Sequence, residues 1–223
     1  MTTAPPTAPD RARAPGAAVT TYVLGGLSAL LLALVAARWS PLLSLDESVA
    51  RPVHRAAVEH SGLTRVSRVL SDWVWDPWTM RIIAALLVLW LLRTGARELA
   101  WWCAGVCVFG TVLQQLLKAA VSRERPVWPD PVDSAHFASY PSGHALTATV
   151  VCGLVLWLLR LYEAGAVLWW TALAVAAVSV AGVGLTRVWL GVHWPSDVVG
   201  GWLLGALLVL MAGRVRGRRA TGA

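Results

Sequence analysis

Hydrophobic and polar positions along this chain are grouped in long blocks instead of alternating residue by residue. Six apolar blocks, separated by polar segments, lie at residues 18–37, 78–92, 99–117, 145–159, 166–185 and 198–212. A helix of about 20 predominantly apolar residues crosses a bilayer core of about 30 Å. The pattern therefore predicts an all-α protein with six transmembrane helices.

The second block is the least sharply bounded of the six. It is short and carries Arg81 near its beginning, from where a long side chain can reach the membrane interface. The preceding residues 46–70 mix Val, Ala and Leu with four arginines, Arg51, Arg55, Arg65 and Arg68. This mixture predicts one or two amphipathic helices on the membrane surface. The predicted fold is a six-transmembrane-helix bundle with short interfacial helices in the first extracytoplasmic loop.

The composition favours a membrane protein over a soluble one. Hydrophobic residues make up 57% of the 223 residues and charged residues only 14%. The formal net charge of +7 could indicate nucleic-acid binding, but the basic residues are spread between apolar blocks and form no stripe on a polar domain. We therefore expect membrane lipids, and not nucleic acid, as partners, and make no prediction of the oligomeric state.

No metal or other cofactor is predicted. The three cysteines lie inside predicted spans, at Cys103, Cys107 and Cys152. Their positions suggest small apolar packing residues and neither a disulfide nor a metal framework.

Three segments are predicted along the chain. Residues 1–16 form a disordered cytoplasmic tail, residues 17–213 a single membrane domain, and residues 214–223 a basic cytoplasmic tail. If both termini are cytoplasmic, nine Lys and Arg residues lie inside and ten outside, so this count does not decide the orientation. The basic tail and the short loops carry more weight, and they predict a multi-pass protein of the cell membrane with both termini in the cytoplasm.

Three polar clusters lie at the ends of predicted spans. The first, Lys118-x6-Arg125-Pro126, follows the third span. Pro126 disfavours helical geometry at Arg125. The two cations could bind the non-bridging oxygens of a phosphate, Arg125 with a bidentate fork and Lys118 as a point charge. Taken alone, the pair is better explained as two interfacial anchors.

The second cluster, Pro141-Ser142-Gly143-His144, directly precedes the fourth span. N–H groups at the beginning of a helix attract anions, and Gly143 has no Cβ to keep an oxyanion from the backbone. Ser142 could donate one more hydrogen bond, and His144 could donate a proton to a leaving oxygen. The alternatives are ordinary helix capping for Ser142 and an interfacial polar side chain for His144.

The third cluster, Arg187-x5-His193-x3-Asp197, joins the fifth and sixth spans. Asp197 is placed to accept the Nδ1–H of His193, which would leave Nε2 free to attack. The alternative is a His–Asp pair that caps a helix. Ionisable residues this close to a bilayer are costly, however, and are therefore candidates for function.

All three clusters are expected on one face of the membrane, because two spans separate the first two clusters from the third. With both termini inside, that face is extracytoplasmic. Together the clusters supply three cations, two imidazoles and a carboxylate. These are the groups needed to bind a phosphate and to attack its phosphorus.

The clusters resemble the signature of the type 2 phosphatidic acid phosphatases, whose superfamily also includes vanadium-dependent haloperoxidases. The family pattern is Lys-x6-Arg-Pro, then Pro-Ser-Gly-His, then Ser-Arg-x5-His-x3-Asp. Only one position departs from it, since Thr186 stands where the family has serine. Threonine keeps the hydroxyl, so the departure puts little in doubt.

The resemblance implies a metal-independent, two-step hydrolysis. His193 would attack phosphorus and form a phosphohistidine, Asp197 would orient His193, and His144 would protonate the leaving group and then activate water. The residues implied to hold the phosphate are Lys118, Arg125, Ser142, Gly143 and Arg187.

We therefore predict an integral membrane lipid phosphatase. Its substrate would be a phosphomonoester or diphosphate such as phosphatidic acid, phosphatidylglycerol phosphate or a polyprenyl diphosphate. Two alternatives remain at this point: a vanadate-dependent haloperoxidase-like enzyme and a non-catalytic protein that binds lipid phosphate. His54, His60 and His136 have no predicted role.

Overall fold

The computed structural model describes residues 15–221 of the chain. Its eight α-helices are α1 Pro15–Ala36, α2 Ser40–Glu59, α3 Ser61–Val69, α4 Pro77–Arg93, α5 Arg97–Val121, α6 Gly143–Leu161, α7 Ala166–Trp189 and α8 Pro195–Thr221. The six predicted blocks correspond to α1, α4, α5, α6, α7 and α8. Six helical segments of this described part are long and apolar enough to cross a membrane. The predicted all-α, six-span architecture is confirmed.

The second span differs most from its prediction. A π-helical turn, Leu70–Val74, follows α3 and leads towards α4, so that one apolar helical segment covers Ser61–Arg93. Asp76 marks the beginning of α4, where its Oδ1 accepts the backbone N–H of Trp78 at 2.7 Å and Pro77 occupies the first helical position. This cap holds Asp76 at the end of the bundle where α6 and α8 also begin.

The predicted amphipathic segment forms α2 and α3. On α2 the buried residues Asp46, Ala50, His54 and Ala57 share one face, whereas Arg51 is exposed. This face packs against α7 and α8. Two of its four buried residues are polar, so α2 brings hydrogen-bonding groups into the bundle as well as apolar surface.

α6 is the central helix and contacts α4, α5, α7 and α8. Leu146, Val150, Leu154 and Leu158 recur every four residues along α6 and belong to the main buried cluster. Lipid tails are as apolar as leucine, so close packing rather than exclusion of water holds such a bundle together.

Two glycines of α8, Gly201 and Gly205, permit close contact with α6. A Cβ on Gly201 would lie 2.7 Å from the carbonyl oxygen of Ser142, and one on Gly205 would lie 2.7 Å from Cβ of Thr149. The Gly201-x3-Gly205 pattern therefore serves the close packing of α8 on α6.

The two predicted tails are only partly described. Helix α1 begins at Pro15, so the last two residues of the segment 1–16 are helical, and residues 1–14 lie outside the described part. At the other terminus α8 continues through Thr221. Most of the basic segment 214–223 is therefore a continuation of the last helix.

Candidate active site

A cavity of about 270 Å³ lies at the end of the bundle where α5 and α7 end and α4, α6 and α8 begin. Six of the eight predicted site residues line it: Lys118, Arg125, Gly143, His144, Arg187 and His193. The other two, Ser142 and Asp197, are fully buried next to lining residues. The three sequence clusters thus meet in one place.

His193 is buried at the floor of this cavity, with 2% of its side chain exposed. Its Nδ1 lies 3.4 Å from Oδ2 of Asp197 and 3.3 Å from Oγ of Ser139. Its Nε2 lies 3.3 Å from Nη1 of Arg125. The two ring nitrogens therefore face groups of opposite character.

These neighbours assign the tautomer of the neutral ring. A guanidinium has only donors, so Nε2 must be the accepting nitrogen and Nδ1 carries the proton towards Asp197. Burial lowers the pKa of His193 to about 3, against the opposing hydrogen bond and charge of Asp197. The imidazole is therefore neutral near pH 7 and has a lone pair on Nε2.

Both carboxylate oxygens of Asp197 are occupied. Oδ2 accepts from the Ser139 hydroxyl and from the backbone N–H of Trp194, the latter at 2.9 Å, in addition to facing His193. Oδ1 accepts from Nη1 of Arg123 at 2.6 Å. This carboxylate is fixed from several directions before any ligand arrives.

Arg125 is held by backbone carbonyls of two loops. Its Nε donates to Phe137 at 2.9 Å, its Nη2 to His136 at 3.1 Å, and its Nη1 to Val192. Burial, and next the charge of Arg187, lowers the pKa of Arg125 to about 10. It therefore remains a cation at neutral pH.

Lys118 and Arg187 complete the cationic lining. Lys118 Nζ donates to the carbonyl of Ala138. Arg187 Nη1 donates to Ser71 Oγ at 2.8 Å and lies 3.8 Å from Asp72 and 3.9 Å from Asp133. Its Nε is buried and has no hydrogen-bond partner among the described residues.

Ser142 occupies the capping position of α6, but its side chain makes no capping hydrogen bond. The hydroxyl is buried and lacks a hydrogen-bond partner within residues 15–221. A buried polar group without a hydrogen bond costs about 1–3 kcal/mol of folding free energy. The alternative of ordinary capping for Ser142 is wrong.

At Gly143, a Cβ would lie 2.7 Å from Nε2 of Gln114, so the glycine also makes room for that side chain.

His144 lies near the beginning of α4, on the lining of the same cavity. Its Nε2 lies 3.9 Å from Oδ2 of Asp76, a charge contact too long for a direct hydrogen bond. The imidazole is partly exposed, at 18% of the side chain. His144 can therefore reach both the cavity and a carboxylate.

Several residues around this site were not predicted from the sequence. Asp46, Arg123 and Ser139 lie behind Asp197, and Asp76, Arg81 and Gln114 line the cavity. The sequence does contain a signal for the burial of Asp46, because Asp46 lies on the same helix face as Ala50 and Ala57. The position of Arg123, two residues before Arg125, carries no comparable signal.

The three histidines without a predicted role have different surroundings. His136 lines the mouth of the cavity and its carbonyl accepts from Arg125. His54 is stacked on Trp128 with 4.4 Å between the ring centroids. His60 ends α2 and is exposed.

Comparisons with known proteins identify the family of this chain. Residues 99–220 match the PAP2 superfamily. The chain is 32% identical over 178 residues to the decaprenylphosphoryl-5-phosphoribose phosphatase of Mycobacterium tuberculosis, covering 78% of this chain and 92% of that protein. It is 30% identical over 156 residues to the undecaprenyl-diphosphatase of Sulfolobus acidocaldarius, covering 66% of each chain.

The fold also matches a solved structure, the transmembrane PAP2-type phosphatidylglycerolphosphate phosphatase from Bacillus subtilis. The TM-score is 0.66 with 23% sequence identity, and the match covers 86% of this chain and 93% of that one. The match over more than half of the chain, the curated relatives and the six apolar spans lead to one conclusion. This chain belongs to the PAP2 superfamily and is a multi-pass membrane phosphatase of that family.

Proposed function

We propose that this protein hydrolyses a lipid phosphate or diphosphate through a phosphohistidine formed on His193. One observation carries the proposal: Nε2 of a neutral, buried His193 faces a cavity that is lined by four cations. A nucleophilic nitrogen without a proton, next to cations that attract a phosphate, is the arrangement that phosphoryl transfer to histidine requires.

In the first step, Nε2 of His193 forms a bond to phosphorus while the bond from phosphorus to the leaving oxygen breaks. Asp197 stabilises the positive charge that the ring acquires, because Nδ1–H already faces its Oδ2. His144, which also lines the cavity, acts as the general acid and gives a proton to the leaving oxygen.

In the second step, water attacks phosphorus and the bond to Nε2 breaks. His144, now neutral, accepts the proton from the water, so that inorganic phosphate and the starting enzyme are restored. Through both steps Lys118, Arg125 and Arg187 bind the phosphate oxygens. Ser142 and the Gly143 amide are further donors in this proposal. Two buried donors that have no partner among the described residues, Arg187 Nε and the Ser142 hydroxyl, support an anion site here.

Arg81 bears on the choice between a monophosphate and a diphosphate. It is a fourth cation on the cavity, stacks over Trp78 at 4.8 Å, and has no carboxylate partner among the described residues. A cation in the first turns of a helix is opposed by the helix dipole and, within a membrane span, by desolvation. Arg81 is the group available for a second phosphate, which favours a lipid diphosphate such as the undecaprenyl substrate named for the Sulfolobus relative.

The cavity opens at the end of the bundle opposite to the C-terminal end of α8. With both termini in the cytoplasm, as the basic residues of the tail and short loops favour, the site faces the extracytoplasmic side. A lipid headgroup at that surface would reach it without leaving the membrane.

The direct test compares His193→Ala with His60→Ala in detergent, where His60 is an exposed histidine outside the cavity. Phosphate release is measured from phosphatidic acid, phosphatidylglycerol phosphate and undecaprenyl diphosphate. We expect at least about a 10³-fold loss of kcat for His193→Ala and wild-type activity for His60→Ala. Retained turnover in His193→Ala would overturn the proposal, and vanadate-dependent halide oxidation by the wild type would favour the haloperoxidase alternative.

A further inference from the structure

We propose that Arg123 and Asp46 are positioning residues that clamp Asp197 and thereby set the orientation of His193. The inference rests on the proposed function, since it assigns these residues to the same reaction. Arg123 is one of the six unspecified residues between Lys118 and Arg125, Asp46 lies outside the three clusters, and neither lines the catalytic cavity.

Arg123 connects two carboxylates that are far apart in the chain. Its Nη1 donates to Oδ1 of Asp197 at 2.6 Å, and its Nη2 donates to Oδ2 of Asp46 at 2.6 Å. The three side chains are 8%, 0% and 3% exposed, respectively. A buried guanidinium between two buried carboxylates is strongly coupled to both, because removing it leaves two like charges without their shared cation.

Asp46 also holds the helix that carries Asp197. Its Oδ1 accepts the backbone N–H of Ser196 at 2.9 Å, and its Oδ2 accepts the Ser196 hydroxyl. Arg123 Nη1 donates to the same hydroxyl at 2.7 Å. A carboxylate from α2 therefore caps the first turn of α8, one residue before Asp197.

The two carboxylate oxygens of Asp197 contact different residues. Oδ1 is engaged by Arg123, which leaves Oδ2 to face Nδ1 of His193. If Arg123 is lost, the carboxylate is free to rotate or to take up a proton, and the contact that keeps the proton on Nδ1 is weakened. The expected consequence is a slower attack by Nε2 with an intact phosphate cradle.

The clamp also explains the buried polar face of α2. This helix lies outside the matched family region, which begins at residue 99. Its Asp46 nevertheless accepts a hydrogen bond from Arg123, 77 positions further along the chain, and Arg123 in turn donates to the site residue Asp197. In this account α2 is a support of the catalytic centre.

The test uses the full-length protein with Arg123→Gln, Arg123→Lys and Asp46→Asn. Arg51→Gln is the matched control, since Arg51 is an exposed arginine of α2 paired with Glu47. Values of kcat and KM are measured on the best lipid substrate. Thermal unfolding is followed for each variant.

We expect Arg123→Gln to lower kcat by about 10–100-fold, the loss typical for residues that orient a site group, with KM changed less than about twofold. Arg123→Lys should recover part of kcat because it keeps one charged donor. The double variant Arg123→Gln/Asp46→Asn should lose no more kcat than Arg123→Gln alone, since both act through one network. Arg51→Gln should match the wild type.

Unchanged kcat in Arg123→Gln, or a loss that appears only in KM, would overturn the clamp. If Arg123→Gln does not fold, the kcat values of Arg123→Lys and Asp46→Asn test the clamp instead. Wild-type kcat in both variants would overturn the clamp. Failure of the proposed function is distinguishable, because then the wild type itself releases no phosphate from any lipid of the panel.

Discussion

Nη1 of Arg125 lies 3.3 Å from Nε2 of His193, so a phosphate-binding arginine rests against the nitrogen proposed to attack phosphorus. Before substrate arrives, this contact keeps Nε2 unprotonated and aligned with the cavity. An incoming phosphate would take over the donors of Arg125 and present phosphorus to the same nitrogen.

The charge state of His193 yields a prediction on pH. Burial lowers its pKa from the ordinary 6.5 to about 3, so the folded ring stays neutral at any pH well above that value. In ¹⁵N-histidine-labelled protein, the Nε2 resonance should keep the shift of an unprotonated nitrogen from about pH 7.5 down to about pH 5. Titration of this resonance with a midpoint near 6.5 would contradict the assignment.

Gly143→Ala tests the space beside the second cluster. The new Cβ would lie 2.7 Å from Nε2 of Gln114, whose side chain lines the cavity and must move. We expect a loss of kcat/KM on the order of 10-fold or more, because small displacements in a site are costly. Gln114→Ala in the same chain should restore part of it. If the double variant is no better than Gly143→Ala, the close contact is not the cause.

Gly201→Ala tests the packing of α8 on α6. Its Cβ would lie 2.7 Å from a backbone oxygen, that of Ser142, which cannot yield as a flexible side chain can. Overpacking of this kind costs about 1–3 kcal/mol. The thermal midpoint in detergent should fall clearly, whereas Gly105→Ala, with no atom within 4 Å of the new Cβ, should leave it nearly unchanged. Equal midpoints for both variants would contradict the packing account.

Arg81→Gln tests the second phosphate subsite. With the charge removed, kcat/KM for undecaprenyl diphosphate should fall by about 10-fold or more, the loss expected for a charge-assisted contact of about 1.5–3 kcal/mol. Undecaprenyl monophosphate and phosphatidic acid should be hydrolysed about as well as by the wild type. An equal loss on all substrates would instead indicate a general role of Arg81 in the cavity or at the membrane interface.

Much of the fold and the cluster positions follow from the sequence, because their signals are local. Long apolar blocks predict the spans, and charged residues at block ends lie on the same face of the membrane when two spans separate them. The clamp of Asp46, Arg123 and Asp197 was not predictable in this way. Its members are separated by 77 and 74 positions, and only the packing of α2 across α8 brings them together.

Two further features could not be predicted from the sequence, for physical reasons. The π turn at Leu70–Val74 joins an apparently interfacial segment to the second span, and nothing in the apolar pattern marks a change of helical pitch. Ser142 stands at a helix beginning, where serine usually caps, yet its hydroxyl makes no capping bond. Whether a side chain caps or stays available depends on the groups packed around it.

The most direct test of the central claim is to trap the phosphoenzyme. The wild type is mixed with lipid diphosphate labelled with ³²P at the terminal phosphate, quenched in base within milliseconds, and digested for peptide mapping. We expect an acid-labile, base-stable label on the peptide that contains His193, and none in His193→Ala. Steady phosphate release by the wild type with no label on His193 at any time, together with turnover by His193→Ala, would contradict it.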